Sequence, residues 1–333
     1  MIIENSKTYN VNDVENLFFR PSFCGKSAEE LGIRILYNMP IPTNVPMFAH
    51  HNNILQEFSS GWQGGSSATM TQKEIVLSKL KAESSYSAET YFSTIYEMLT
   101  NSADVNLGDL SGTDLEKAET ELFRRAIVES IYATMWFGDD TGDLSNFIAF
   151  SGFLRKIIDI KEIEKPLSSI QIYSEPESMS ICKVFYDTWA SATDELRALS
   201  SEGNLAFFVS SDIYDAYQFF LDYRGLSNNA EHLVNGRQGL YYHGIPVIEI
   251  PVKQYEVNRA KSFCVLTDRR NLVLALNTAD SPEKEIRMWY NPDEMENRQR
   301  VVFLAGVTIA DDDLITALIF DQGVEITDGF VEE

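Results

Sequence analysis

The chain has 333 residues, 44% of them apolar and 12% aromatic, which is enough for a large covered core and too rich in core formers for a disordered polymer. Its 50 acidic side chains against 27 basic ones give a net charge of −23, which repels phosphate at contact range and excludes tight or sequence-reading nucleic-acid binding. No apolar run approaches the ~20 residues of a membrane span, and three widely spaced cysteines (Cys24, Cys182, Cys264) fit a reducing compartment rather than a disulfide framework.

The start "MIIENSKTYNVNDVENLFF" lacks the basic and apolar regions of a secretory signal. Residues 1–45, with Pro21, Pro40 and Pro42, are predicted to form an extended arm, because proline at that density disfavours helix. From His50 to Thr71 the chain is polar, contains glycine and has no lysine or arginine; "TQKEIVLSKLKAE" then alternates as a strand. "SAETYFSTIYEML" is predicted as a helix capped by Ser87, with Tyr91, Ile95 and Met98 on one face. "TDLEKAETELFRRAIVESIYATMWFG" gives the strongest helical period, through Leu115, Ala118, Leu122, Ala126 and Ile127. Thr113 and Glu116 form a capping-box pattern, and Gly138 stops it after about 24 residues, ~36 Å of helix.

Residues 144–175 show no clear pattern, and a third helix is predicted over 177–198. "LAFFV" (205–209) reads as a fully buried strand, and "SDIYDAYQFFL" as a helix capped by Ser210 or Ser211. "GLYYHGIPVIEIPV" turns at Gly244 into a strand. "NLVLAL", "KEIRMWY" and "RVVFLAGVTI" are strands, with "NPDEMEN" as the turn between the last two. Long helix and mostly antiparallel strands together predict an α+β chain.

Candidate chemistry is sparse. Gly25-Lys26-Ser27 has Arg20, not glycine, five residues before Gly25, so the phosphate cradle of a P-loop is missing; the glycines at 61–65 have no following lysine. His50-His51 lack a third ligand at metal spacing, "DDTGD" (139–143) lacks the glycine and closing glutamate of a calcium loop, and "DDD" (311–313) reads as a solvated strand end. The cysteines stand in apolar company and are expected to be buried, inert thiols. No catalytic, cofactor or metal residue is assigned.

The segment 46–82, folded out and back, would have legs of roughly 18 residues reaching ~50 Å, well beyond a body whose radius of gyration is ~20 Å. Its apolar side chains (Ile54, Leu55, Phe58, Trp62, Ile75, Leu77), with Gly61, Gly64 and Gly65, are therefore assigned to an interface with a second copy of the chain.

In this order, a proline-bearing arm, the return strand "KEIVLSKLKAESSYS" leading into "SAETYFSTIYEML", the long helix ending "TMWFGDDTG", "NLAFFVSSDIYDAYQFFL", "GLYYHGIPVIEIP" and the closing strands "NLVLALNTADSPEKEIRMWYNPDEMENRQRVVFLAGVTI", the chain resembles the major capsid proteins of tailed double-stranded DNA bacteriophages, of the Hong Kong 97-type fold. The resemblance implies an N-terminal arm (1–45), an extended loop (46–82), a peripheral domain with a long spine helix (83–175 and 268–310) and an axial domain (176–267), to which 311–333 return. It implies a self-assembling, non-enzymatic subunit of an icosahedral shell, built of hexamers and pentamers and enclosing DNA without binding it specifically. The shell belongs to the virion and is assembled in the host cytoplasm, without membrane or cofactor. A portal and decoration proteins are expected partners. Some relatives carry a long scaffolding region at the N-terminus; the short arm here implies a separate scaffolding protein. Others cross-link through a loop lysine; residues 50–72 contain none, so no such link is expected. An encapsulin-like nanocompartment shares the fold and is the alternative, followed by an α+β enzyme of unknown class.

Overall fold

The computed structural model describes residues 28–39, 43–48, 70–87, 114–141, 147–163, 168–175, 177–224, 233–234, 237–251, 261–279 and 282–327. In chain order these form β1 (Arg34–Leu36), β2 (Thr43–Phe48), β3 (Met70–Ile75), β4 (Ser78–Ser87), α1 (Asp114–Phe137), α2 (Phe153–Ile163), β5 (Ile170–Tyr173) and β6 (Glu177–Ser180). Next come α3 (Ile181–Ala190), α4 (Asp194–Ala198), β7 (Leu205–Ser210), α5 (Ser211–Tyr223), β8 (Leu233–Val234), β9 (Arg237–Gln238), β10 (Leu240–Tyr242) and β11 (Ile245–Ile250). The chain then forms β12 (Ser262–Asp268), β13 (Leu272–Leu276), β14 (Arg287–Asn291), β15 (Glu296–Ile309), β16 (Ile315–Phe320) and β17 (Val324–Thr327).

Strands without polar alternation have two faces to cover. Every residue of β7, β12 and β16 is buried, and these three form the centre of a six-stranded sheet ordered β10-β11-β7-β12-β16-β5. Ala206 and Phe208, Phe263 and Val265, and Ile315, Ala317 and Ile319 look into one hydrophobic core. Leu205, Phe207 and Val209, Cys264 and Leu266, and Leu318 and Phe320 look into the other, which α3, α4 and α5 cover. Adjacent side chains point to opposite faces, so alternate residues of one apolar strand serve two cores.

The first core is shared with a second sheet, ordered β1-β13-β15-β14, with β4 on the opposite edge of β15. Val301, Phe303, Ala305 and Val307 of β15 and Leu272, Leu274 and Leu276 of β13 pack there with Phe123, Ile127, Met135 and Trp136 of α1. Trp136 is fully buried and lies 5.4 Å from the ring of Phe153 on α2 and 5.1 Å from that of Phe208 on β7, so one indole touches α2 and the six-stranded sheet. α1 stops at Gly138 because there is no room for a side chain: an added Cβ would stand 2.1 Å from the Phe150 carbonyl oxygen and 2.6 Å from that of Thr134. The Gly138 carbonyl accepts from Gly152 N at 2.7 Å, which brings α2 in behind α1.

Several expectations are corrected. The predicted helix over 177–198 is a strand and two helices. β6 pairs with β17, a partner absent from any local window; extended Ser180 precedes α3 without a side-chain capping bond, and Thr193 caps α4 by accepting from Leu196 N at 3.2 Å. The patternless stretch 144–175 contains α2, whose buried Phe153, Leu154, Ile157 and Ile158 do follow the helical period, and β5, an edge strand of the six-stranded sheet. Cys264 is buried, as expected, but Cys182 is exposed on α3. The turn in "YYHGIP" is a two-residue hairpin with positive φ at His243 (50°) and Gly244 (79°), which fits the type I′ turn that suits twisted strands. The Thr113 cap, the helix "SAETYFSTIYEML" and Cys24 lie outside the described residues.

Candidate functional site

The segment assigned to a subunit interface is described at its base. β2 and β3 pair antiparallel from Thr43↔Ile75 to Phe48↔Met70, so the two ends of the loop meet as a hairpin. The interface candidates Ile54, Leu55, Phe58, Gly61, Trp62, Gly64 and Gly65 lie outside the described residues, as does His50-His51. Ile75 and Leu77 lie within them. Ile75, expected to need a second copy for cover, is 1% exposed and packs on Val273 and Ala275 of β13; Leu77 is half-buried beside it. These two therefore anchor the hairpin to its own subunit.

The return strand is broken where it reaches the body. β3 ends at Ile75, Val76 stands 72% exposed, and β4 starts at Ser78 against β15. The break is set by Gly306: a Cβ there would lie 2.2 Å from the Val76 carbonyl oxygen. Lys73 on β3 reaches Asp312 Oδ1 at 2.5 Å, tying the hairpin to the turn before β16. Thus the "DDD" stretch is occupied structurally: Asp312 holds Lys73, and the Asp311 carboxylate accepts from Asp313 N at 3.0 Å. The two short strand-to-strand crossings between the sheets, β12 to β13 and β15 to β16, meet at buried Asn271. Its amide donates to the Asp311 carbonyl at 2.9 Å and the Leu314 carbonyl at 3.2 Å, and its Oδ1 accepts from Asp311 N at 2.7 Å.

The remaining candidates for chemistry are also accounted for locally. Asp139 Oδ1 accepts from Thr141 N at 3.0 Å and Thr141 Oγ1 at 2.7 Å, which makes the "DDTG" stretch a helix-ending turn. Burial pushes the Cys264 thiol up to about 12, and partial loss of hydration raises that of exposed Cys182 against the opposing pull of Arg224, so neither is shifted toward the thiolate. Burial likewise pushes Tyr217 up to about 12, and its hydroxyl donates to the Tyr241 carbonyl at 2.8 Å. Among the described residues no group of three His, Cys, Asp or Glu is placed to hold a metal ion, and no helix is long and apolar enough to cross a membrane.

Sequence reasoning missed a surface. On the ribbon β14-β15-β4, cross-strand pairs Arg287↔Arg300, Trp289↔Arg298, Glu83↔Arg300 and Lys81↔Val302 project from the side opposite buried Val301 and Phe303. Each strand alone shows only ordinary alternation. The cluster exists because β4 and β14 flank β15, a pairing of segments about 200 positions apart.

No family model and no curated protein matches the chain. Solved structures do. A chain of the satellite phage P4 procapsid that includes the size determination (Sid) protein is similar with a TM-score of 0.53 at 10% identity, over 90% of this chain and 94% of that one. A chain from Gordonia phage Cozz gives 0.52 at 12% identity, over 92% of each. A chain of the holo-SrpI encapsulin complex from Synechococcus elongatus PCC 7942 gives 0.51 at 10%, over 98% and 99%. Identity this low speaks to architecture: the α+β fold is the Hong Kong 97-type capsid fold, matched nearly end to end.

Proposed function

We propose that a chain with this fold is itself a shell subunit, which self-assembles into the icosahedral capsid of a tailed phage and encloses double-stranded DNA. The observation that carries the reading is the near-complete two-way coverage against phage particle proteins, since a partial match would fit a grafted domain rather than a whole subunit. The negative charge agrees with a container whose wall does not pin its polyanionic cargo. The five-stranded sheet with α1 as spine is the peripheral part. The six-stranded sheet with α3, α4 and α5 is the axial part. The return of β16 to that sheet supports placing 311–333 with it, and the pairing of β5 with β16 supports a boundary ahead of Ile170 in place of 175. Residues 46–82 then reach from the Ile75 anchor over a neighbouring subunit. Hexamers and pentamers of this chain, a separate scaffolding protein, a portal and decoration proteins complete the virion, with assembly in the host cytoplasm.

The likeness to the encapsulin supports a second reading, a nanocompartment for folded cargo. One experiment separates the readings: the protein is expressed with and without its neighbouring genes, and the products are imaged by electron microscopy and assayed for nuclease-protected DNA. Closed shells holding protected DNA are expected; shells filled with a co-expressed enzyme would favour the nanocompartment. Small, monodisperse particles at every concentration and in every co-expression would sink both.

A further inference from the structure

The outward face of the β14-β15-β4 ribbon carries the opposite charge to the rest of the chain. Residues directly opposite across strands share a face, and Lys79, Lys81, Arg287, Arg298 and Arg300 all project from the side away from the core, with Glu83 and Glu296 as the strand carboxylates among them. At the chain's overall frequency of 27 basic residues in 333, a face of this size would hold about one. Glu83 takes Lys81 at 2.8 Å and Arg300 at 3.3 Å, and Arg298 pairs with Glu294 and with Glu296, the latter at 3.4 Å. Lys79 and Arg287 have no ion-pair partner among the described residues. On the same strand as Arg287 and opposite Arg298, Trp289 is 44% exposed.

We propose that this cationic, tryptophan-bearing face is a docking surface for the acidic surface of a second copy of the same chain. Two bodies of net charge −23 repel when brought within the ~8 Å screening length of physiological salt, so close packing of copies is favoured by a local region of opposite sign. The complement is present on every copy: on α4, α5 and the turn before β7, Asp194, Glu195, Glu202, Asp215 and Asp222 are exposed. Exposed Trp and Arg together are the side chains that most often anchor protein interfaces. A nucleic-acid duplex, with one phosphate per ~1.7 Å, would meet the same excess of carboxylates that the chain presents elsewhere, so the second copy is the favoured occupant. Because the cationic face and its acidic complement are different surfaces of one molecule, the contact is head-to-tail, the class that builds rings or open chains and not two-fold dimers. This inference rests on the shell-subunit reading and names a surface through which the subunits would meet.

The test uses the full chain with whatever assembly partners the wild type needs, and reads assembly by sedimentation and electron microscopy from ~0.05 to ~0.5 M NaCl. Lys79→Glu/Arg287→Glu alters two side chains that hold nothing else in place, so circular dichroism and thermal melting stay at wild-type values. Its assembly threshold rises by ~10-fold or more; Lys79→Gln/Arg287→Gln gives a smaller rise, and Lys79→Arg/Arg287→Lys assembles as wild type. The gap between the wild-type and double-glutamate thresholds narrows as salt rises, because screening removes the difference that the two charge reversals make. Assembly of the double glutamate variant at the wild-type threshold, with wild-type salt dependence, overturns the inference and leaves the shell reading intact. Normal assembly with loss of a short-duplex affinity that the wild type possesses also overturns it, and assigns the face to phosphate. A wild type that stays monomeric throughout removes the shell reading and this inference together.

Discussion

Asn271 shows how one side chain can set the relation between two sheets. The crossings from β12 to β13 and from β15 to β16 both run past it, and its amide bonds backbone groups at Asp311 and Leu314, outside the strands. Asn271→Ala removes the acceptor of the Asp311 N–H, whereas the Leu314 carbonyl keeps Thr267 Oγ1 at 2.8 Å and the Asp311 carbonyl keeps Leu314 N at 3.4 Å; the change is expected to destabilise the protein by roughly 1–3 kcal/mol, read as a lower denaturation midpoint at unchanged slope. Glu129, half-buried on α1, behaves differently: burial raises its carboxyl above the ordinary range. A folded-state value above the unfolded one means that the charged form costs stability at neutral pH, and that protonation relieves this cost as the pH falls through the folded value. Glu129→Gln should therefore raise the melting temperature at neutral pH, and its advantage should shrink in acid.

Among the elements, the junction of β3 and β4 has the tightest geometric requirement. Ile75 fills a small apolar site on β13, Lys73 is held by Asp312, and the chain then crosses β15 at the only residue type that leaves room for the Val76 carbonyl. Gly306→Ala puts a methyl group against backbone, which cannot swing aside as a side-chain tip can. It is expected to cost roughly 1–3 kcal/mol and to loosen β3 before the rest of the sheet, detectable as faster amide exchange at 70–75 than at 301–305. Equal protection of the two strands in the variant would show that the crossing is not held at Gly306. By contrast β7 needs no such device, since its neighbours on both sides and its two covered faces leave it one position.

For the whole molecule, the proposed function turns on how copies meet. The absence of lysine from residues 50–72 predicts that particles boiled in denaturant run as single chains; a ladder of covalent multimers on such a gel would refute it. The salt dependence argued for the cationic face belongs to the same scale, because screening acts on the approach of whole subunits more than on their interiors.

The sequence by itself determined the elements whose partners are nearby or whose pattern is unambiguous. α1 is legible from its period and from Gly138, β7 from its unbroken apolar run, and the turn at Gly244 into β11 from its glycine, because each is governed by local backbone preference. The order of those elements also carried the resemblance to the capsid fold. Tertiary structure alone decided the rest. Glu177–Ser180 is a strand because Val324–Thr327 lies beside it, Ile75 is an anchor because β13 offers a site for it, and the cationic face exists because β4 and β14 are joined through β15. Each of these depends on groups far apart in the chain, and pairings of that kind leave no periodic trace in either segment taken alone.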